Sequence, residues 1–344
     1  MRSTAWPGCL RVVGALGALV ATSASLSACG LVVGIQDIDV TTGAGGGGGD
    51  AGDGGSGGGS GGDVDAGPDV PPPRGLGCDD AIPLVFAGFG ALEFDAETPE
   101  SGTIEGGPFT GCTTSSGPEH VYVFDAPGPG FLTASLPAAA TSFDSVLYAR
   151  RTSCSNPDGI VLCHDQVPGT LGGELISFPV TAGERIYLFV DGVAPEDRGA
   201  YHLTVSFSPG ASCAGPVPIV LGTGVGSFAT LLGANEPGMD NHAMCGKCTT
   251  SECAGLGRQT IYSIKAPLAK EVEVRLQATF DAVLYARTTC ENKLTQLAQD
   301  GCVDAPDKGN EVLFVPGGVT PTILVVDTNA DSPAGPFSIR LNLK

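Results

Sequence analysis

Hydrophobic and polar residues alternate with a period of two along much of the chain. The segment KEVEVRLQ, residues 270–277, places Val272, Val274 and Leu276 on one face and charged or amide side chains on the other. The segment FSIRLNL, residues 337–343, shows the same alternation. Because successive side chains of a strand point to opposite faces, this pattern predicts half-buried antiparallel strands. No stretch keeps a helical apolar period for three turns, so we expect an all-β fold.

One line of sequence occurs twice, as FDSVLYARRTSC beginning at Phe143 and as FDAVLYARTTC beginning at Phe280. Other landmarks recur around it in the same order, which indicates a duplicated domain rather than short stacking repeats. Many short strands separated by Pro, Gly, Asp and Asn are typical of a β-sandwich. We therefore predict two tandem antiparallel β-sandwiches, jelly-roll-like in form: repeat one at residues 78–208 and repeat two at residues 211–344.

The recurring line is expected to be a core strand. In repeat one we expect Phe143, Val146 and Tyr148 to enter the core, and a loop to cover Leu147.

These landmarks resemble the bacterial pre-peptidase C-terminal domain, found in secreted proteins and lipoproteins of myxobacteria. The resemblance rests on a leading Cys78, the VYVF strand, FDSVLYAR with its cysteine, a cysteine before Asp165, and TAGERIYLFVDG followed by GAYHLTV. It covers Cys78–Phe207 and, more loosely, Cys213–Lys344. It implies a small antiparallel sandwich of the kind appended to secreted proteases, where it assists secretion, substrate attachment or localisation. The segment before Cys78 contains no protease domain, and repeat two departs from the pattern at PGGVTPTILVVDT.

Residues 1–28 have the features of a secretion signal: early arginines, a short apolar stretch and small residues before Cys29. The apolar stretch is shorter than the roughly 20 residues that a membrane-spanning helix needs. LSAC, which ends at Cys29, resembles the lipobox of bacterial lipoproteins, whose cysteine is lipidated and becomes the N-terminus; an ordinary signal with a coincidental cysteine is the alternative. Multiple acylation makes a durable anchor, so residues 29–40 are expected to be an anchor-proximal segment.

Residues 41–77, rich in Gly, Asp and Pro, have almost nothing to bury, so we expect a disordered linker. The stretch from Thr41 to Pro73, as a flexible coil of about 33 residues, spans about 30 Å on average. The formal net charge of the chain is −20. Without a basic stripe, nucleic acid is excluded as a partner class, and the acidity serves solubility.

Ten cysteines follow the anchor, in even numbers per repeat, and an exported chain is expected to oxidise them. From spacing and duplication we predict four pairs: Cys78–Cys112, Cys154–Cys163, Cys213–Cys253 and Cys290–Cys302. Cys245 and Cys248 have no counterpart in repeat one. They are open to three interpretations, namely a local disulfide, a zinc site with His242 and Cys253, and a thioredoxin-like redox pair.

Three aspartates recur at equivalent places: Asp144 with Asp281, Asp165 with Asp304, and Asp191 with Asp327. Carboxylates that converge at one rim of a sandwich are typical ligands of calcium. The alternative is turn chemistry, because aspartate side chains accept hydrogen bonds from nearby backbone amides.

The four histidines, His120, His164, His202 and His242, do not recur between the repeats, and no catalytic motif stands out. The only tryptophan, Trp6, belongs to the signal, which argues against an aromatic sugar platform. We therefore expect no enzyme and no cofactor, apart from possible calcium or zinc. The expected protein is a lipid-anchored envelope protein, in the outer membrane, whose two sandwiches bind or display. Its expected partners are the membrane and an envelope protein or polysaccharide. A purely structural envelope component and a cryptic hydrolase or metalloprotein are the alternatives.

Overall fold

The computed structural model describes residues 75–100, 115–165, 173–223, 228–235, 246–248, 251–254, 257–297, 301–304, 310–329, 333 and 335–344. Within these ranges the regular structure consists of β-strands and four 3₁₀ turns, with no α-helix. The prediction of an all-β fold is therefore confirmed.

The described part of repeat one contains nine strands: β1 Ile82–Pro83, β2 Gly90–Glu97, β3 His120–Asp125, β4 Gly130–Leu136, β5 Ser145–Arg151, β6 Ile160–His164, β7 Glu174–Val180, β8 Arg185–Gly192 and β9 Ala200–Ser208. That of repeat two contains eleven: β10 Val217–Val220, β11 Phe228–Ala234, β12 Gly246–Cys248, β13 Ser251–Ala254, β14 Gln259–Lys265, β15 Glu271–Ala278, β16 Ala282–Arg287, β17 Cys302–Val303, β18 Asn310–Pro316, β19 Thr322–Thr328 and β20 Pro336–Leu343. The 3₁₀ turns are Cys78–Asp80, Ala138–Ala140, Pro157–Gly159 and Lys293–Thr295.

The two repeats have the same strand order. One layer of repeat one is β1-β3-β8-β5-β6, and repeat two builds its equivalent as β10-β14-β19-β16-β17. The second layer is β2-β9-β4-β7 in repeat one and β11-β20-β15-β18 in repeat two. Most neighbours are antiparallel, but β1 with β3, β10 with β14, and β7 with β11 are parallel.

The parallel pair of β7 and β11 joins the two second layers into one eight-stranded sheet. The alternating pattern does not predict this shared sheet, and residues Pro68–Lys344 form one compact unit. Both strands are edge strands of their own repeat. Joining them pairs backbone groups that a separated sandwich would leave open to other chains.

The two hydrophobic cores lie on opposite faces of the shared sheet. Ile176 of β7 belongs to the core of repeat one, whereas its neighbour Leu175 belongs to the core of repeat two. Adjacent residues of a strand point to opposite faces, so β7 contributes to both cores. Phe131 of β4 also faces repeat two, where its ring centroid lies 6.3 Å from that of Tyr262. Repeat two therefore covers what would otherwise be an outer surface of repeat one.

The recurring strand β5 is buried on both faces, which corrects one expectation. Leu147 packs into the core between the layers, together with Phe143. Val146 and Tyr148 belong instead to a smaller cluster on the outer face of β1-β3-β8-β5-β6. The loop after β5 folds back over this outer face, so the residues that a loop covers are Val146 and Tyr148 rather than Leu147.

The described residues begin at Gly75, slightly before the predicted end of the linker at residue 77. Gly75 is buried, its N–H donates to the Asp80 carbonyl at 2.9 Å, and its carbonyl accepts from the Val121 N–H at 2.9 Å. The predicted signal, Cys29, the segment 29–40 and residues 41–74 of the linker lie outside the described residues. In the part of the chain that the structure describes, no helix is long and apolar enough to cross a membrane.

Candidate functional site

The disulfides join cysteines that are distant in sequence. Cys78 is bonded to Cys154, with 5.6 Å between their Cα atoms. Cys213 is bonded to Cys290, also with 5.6 Å between Cα atoms. The four predicted pairs are therefore wrong. The loop after β5 or β16 carries its cysteine back across the outer face, where it meets the cysteine that precedes the first strand of the repeat.

Cys163 and Cys302 are disulfide-bonded as well, but not to Cys154 and Cys290, as we had predicted. Cys112, His242 and Cys245 lie outside the described residues. Cys248 and Cys253 belong to β12 and β13, but their side chains are not described, so the interpretations of the Cys245–Cys248 pair stay predictions.

A buried polar network lies beneath the Cys78–Cys154 disulfide of repeat one. Arg150 is fully buried, and its Nη1 donates to the Cys154 carbonyl. Its guanidinium carbon lies 4.8 Å from the ring centroid of Phe189, and that ring stacks on Tyr148 at 4.5 Å. The Tyr148 hydroxyl donates to Glu119 Oε2 at 3.1 Å. The arginine therefore fixes the folded-back loop and balances buried negative charge.

Asp191 belongs to this network. Burial raises the pKa of Asp191 to about 8, with a further contribution from Glu119, while the Ser115 hydroxyl, the Gly192 amide and Arg150 partly oppose the rise. The carboxyl group is therefore largely protonated at neutral pH, which is the expected response of a buried acid beside another acid.

Repeat two builds the same network from its own residues. Arg287 is fully buried, its Nη1 donates to the Cys290 carbonyl at 3.1 Å, and its guanidinium carbon lies 4.9 Å from the ring centroid of Tyr285. The Tyr285 hydroxyl donates to Asp327 Oδ2 at 3.3 Å. Burial raises the pKa of Asp327 to about 8. Gln259 takes the place of Glu119, so this copy of the network contains one acid fewer.

Sequence reasoning overlooked both arginines. The signal was present, because Arg150 follows Tyr148 by two residues in the recurring line, and residues two apart in a strand share a face. A buried tyrosine therefore predicts a buried arginine beside it, and that arginine needs an acceptor. The recurrence of Asp191 and Asp327 predicts calcium ligands, whereas the structure places both side chains in this network.

The other recurring aspartates form one half-buried pair in each repeat. Burial and the charge of Asp144 raise the pKa of Asp165. In repeat two, burial and Asp281 raise the pKa of Asp304 in the same way. The structure therefore brings together two of the three predicted carboxylates per repeat and places the third in the buried network.

Calcium favours six to eight oxygen ligands. Among the described residues, no group of three or more His, Cys, Asp or Glu side chains lies close enough to hold a metal ion. The calcium hypothesis therefore stays a prediction that rests on a pair of carboxylates in each repeat.

His120 lies in a short chain of buried polar groups. Its Nδ1 lies 2.6 Å from the Tyr201 hydroxyl, which in turn lies 2.7 Å from the Tyr122 hydroxyl. Burial lowers the pKa of His120, although Asp80 opposes the effect. The ring is therefore neutral at neutral pH and exchanges hydrogen bonds inside the core, which is a structural role.

The other histidines are placed separately. His164 is buried beside Phe228 at the junction of the repeats, with ring centroids 4.9 Å apart, and burial lowers the pKa of His164 to about 4. His202 lies on β9, where its Nδ1 is 2.8 Å from Asp95 Oδ1. No two of the three described histidines lie in one polar cluster.

Comparisons with known proteins leave the family open. No protein-family model matches the chain, and no curated protein matches it. The CUB1-EGF-CUB2 domains of rat MASP-1 align with 8% identity over 75% of this chain and 99% of theirs, with a TM-score of 0.20. The CUB1-EGF-CUB2 domain of human MASP-1/3 aligns with 9% identity over 73% of this chain and 99% of its own length, with a TM-score of 0.20. Tripeptidyl peptidase 2 gives 10% identity over 72% of this chain and 23% of its own, with a TM-score of 0.20. At such scores the similarity carries no argument about function.

Proposed function

We propose that the chain is a non-catalytic lipoprotein of the bacterial cell envelope. A lipid on Cys29 would anchor it in the outer membrane, and the linker of residues 41–74 would tether the folded body to that anchor. The two disulfide-stabilised sandwich repeats would bind or display from this tether. An envelope protein or polysaccharide is the expected partner class.

One observation carries the proposal: the two repeats have the same buried scaffold and different exposed groups. Each repeat has the arginine, tyrosine and aspartate network beneath a disulfide, in equivalent strands. At the turn between β3 and β4, repeat one has APGPG at residues 126–130, and at the equivalent turn between β14 and β15 repeat two has APLAK at residues 266–270. A constant scaffold with variable loops is the arrangement that binding modules use.

The polar clusters support a non-catalytic role because they are engaged inside the fold. Arg150 and Arg287 each donate to a backbone carbonyl of the loop that covers them. His120 exchanges its hydrogen bond with a buried tyrosine. A catalytic base needs access to a substrate proton, and such groups are aimed inward.

The anchor is tested by replacing Cys29 with Ala in the full chain. We expect the variant to lose incorporation of radiolabelled palmitate, whereas a control with Cys9 replaced by Ala keeps it. Label that persists in the Cys29 variant would contradict the lipoprotein assignment.

The display role is tested with the compact unit Pro68–Lys344. We expect saturable binding to purified envelope polysaccharide or to a defined envelope protein, measured by calorimetry, and no turnover on a panel of ester and peptide substrates. Turnover that follows the protein through purification would favour the hydrolase alternative. Failure to bind any such component would favour a structural envelope role.

A further inference from the structure

Two neighbouring turns at one end of repeat two project large apolar side chains into solvent. Leu268, between β14 and β15, is 71% exposed, and Val319, between β18 and β19, is 81% exposed. The turns are joined by a hydrogen bond from the Gly317 N–H to the Lys270 carbonyl at 2.7 Å. We call this surface, with the lysines described next, the repeat-two tip.

Lysines surround the apolar pair. Lys265 ends β14 beside Val220, Lys270 follows Leu268, and Lys344 lies beside Glu271 through a backbone hydrogen bond of 2.8 Å. The chain has six lysines in all, so half of them lie at this end of one repeat. Lys344 also pairs with Glu273 at 2.8 Å. Lys265 and Lys270 form no ion pair with a described residue, so they carry the available positive charge.

Repeat one shows that the fold does not require this chemistry. The equivalents of Lys265, Leu268 and Lys270 are Asp125, Gly128 and Gly130. Asp125 pairs with Arg185 at 2.6 Å. The matching turn, residues 181–184, reads TAGE and carries no large apolar side chain. Side chains that are absent from one copy and exposed in the other contribute little to either core, which points to a contact outside the fold.

Gly75, the first of the described residues, lies at the same end of the molecule. Gly75 hydrogen-bonds to Val121 at the start of β3. Ser145, which begins β5 in the same layer, donates to Glu174 at the start of β7. In the shared sheet β11 runs parallel to β7, so the first residues of both strands lie toward the same end. Phe228, the first residue of β11, pairs with Asn342 near the end of β20, two residues before Lys344. The segment that leads back to Cys29 therefore joins the body on the side where the repeat-two tip lies.

The chemistry of the tip fits a lipid–water interface. Exposed leucine and valine on turns can enter the boundary between headgroups and acyl chains without a shaped partner, and burying each one stabilises the bound state. Lysines beside them reach anionic headgroups while their alkyl stems lie along the apolar region. The acidic remainder of the body repels such a surface only weakly beyond about 8 Å at physiological ionic strength.

We propose that the repeat-two tip docks on an anionic lipid surface and that repeat one faces away from it. This inference extends the proposed function, because it divides the body into a membrane-facing and a displaying half. It concerns the folded body alone, so the loss of acylation and the loss of docking are separate outcomes.

The test uses the compact unit Pro68–Lys344, which contains both cores and both described disulfides and has no tryptophan. Leu268→Trp places a single fluorophore at the tip, and Val85→Trp places one at the 74% exposed counterpart of Val220 in repeat one. With vesicles of phosphatidylcholine and phosphatidylglycerol, we expect a blue shift and quenching by brominated acyl chains for Leu268→Trp only. Vesicles of phosphatidylcholine alone should give a much weaker signal.

Two matched variants sharpen the result. Lys265→Gln with Lys270→Gln should weaken vesicle binding roughly fivefold per lysine, since each contributes about 1 kcal/mol near an anionic surface. Leu268→Gly with Val319→Gly, read out by vesicle sedimentation, should weaken it roughly tenfold or more. Circular dichroism melting checks that each variant folds. Equal shifts for both tryptophans, no shift for either, equal binding to neutral vesicles, or self-association that depends on Leu268 and Val319 would each overturn the proposal.

Discussion

Glu119 of repeat one and Gln259 of repeat two occupy the same place, directly before or at the start of a central strand and beneath a disulfide-bonded loop. In repeat one the tyrosine of the network donates to Glu119, whereas in repeat two the equivalent tyrosine donates to Asp327. One amide in place of one carboxyl therefore redirects a buried hydrogen bond without changing the strands around it. The backbone and the arginine fix the geometry, and the acids adjust within it.

The surfaces of the repeats differ more than the interiors. The turns that carry Leu268 and Val319 in repeat two carry small, polar or acidic residues in repeat one. Because both copies have the same strand order, each acts as an internal control for the other. A feature shared by both copies is a requirement of the fold, and a feature of one copy alone is a candidate for function.

Removing the shared feature should have the largest effect and should affect both copies equally. The Cys78–Cys154 and Cys213–Cys290 bonds close loops with sequence separations of 76 and 77. Each should contribute about 4.5 kcal/mol to the free energy of unfolding in the chain-entropy model. Paired Ser substitutions, measured by urea unfolding with circular dichroism, should therefore give matching losses. A loss in one repeat alone would contradict the equivalence of the two scaffolds.

Replacing the buried arginine should lower the free energy of unfolding more in repeat one than in repeat two. Arg150→Met leaves Glu119 and Asp191 buried without their cation, and breaking a buried pair in this way costs roughly 3–5 kcal/mol. Arg287→Met should cost less, because Gln259 is neutral and Asp327 keeps its bond from the Thr328 N–H at 2.7 Å. The same urea experiment measures both, and equal losses would contradict the role of Glu119.

Exchanging the acid and the amide should change the pH dependence of stability. Burial raises the pKa of Asp191 to about 8 from 3.8, with a contribution from Glu119. The native state therefore keeps a proton that the unfolded chain has lost, and stability decreases as the pH rises from about 4 to about 8. Glu119→Gln should lower the pKa of Asp191 and reduce this decrease, whereas Gln259→Glu should enlarge it.

The urea midpoint of unfolding, measured between pH 5 and pH 9, gives the pH dependence of stability for the two variants. A pH dependence that is unchanged in Glu119→Gln would show that the two acids of repeat one are not coupled.

Removing the hydroxyl group of Tyr122 or of Tyr262 should have the smallest effects on the free energy of unfolding, with opposite signs. The Tyr122 hydroxyl bonds to Tyr201, but the equivalent Tyr262 hydroxyl is buried and has no hydrogen-bond partner among the described residues, because Phe337 replaces Tyr201. Tyr122→Phe should lower the free energy of unfolding by about 1 kcal/mol, and Tyr262→Phe should raise it by a similar amount. Thermal unfolding of the two variants checks this, and equal destabilisation would contradict it.

The alternating sequence was sufficient to predict strands, because the burial of one face is written into every second residue. It was not sufficient for the disulfides. Cys154 and Cys163 are near each other in sequence, but the chain between them reverses, and Cys154 reaches Cys78 across the outer face. Proximity along the chain therefore gave the wrong pair.

The shared sheet could not be predicted from the sequence either, since the parallel pairing of β7 with β11 joins two edge strands that no local pattern relates. The sequence also does not predict which face of a strand a loop covers. Val146 and Leu147 are both buried, and only the path of the loop after β5 decides which core each one enters.

The most direct test of the account is peptide mapping of the non-reduced protein by mass spectrometry. We expect one crosslinked species that joins the peptide of Cys78 to that of Cys154, and a second that joins Cys213 to Cys290. Those bonds exist only if the loop after the recurring strand folds back over the buried arginine in both repeats. Crosslinks between Cys154 and Cys163, or between Cys290 and Cys302, would contradict the scaffold from which the proposals follow.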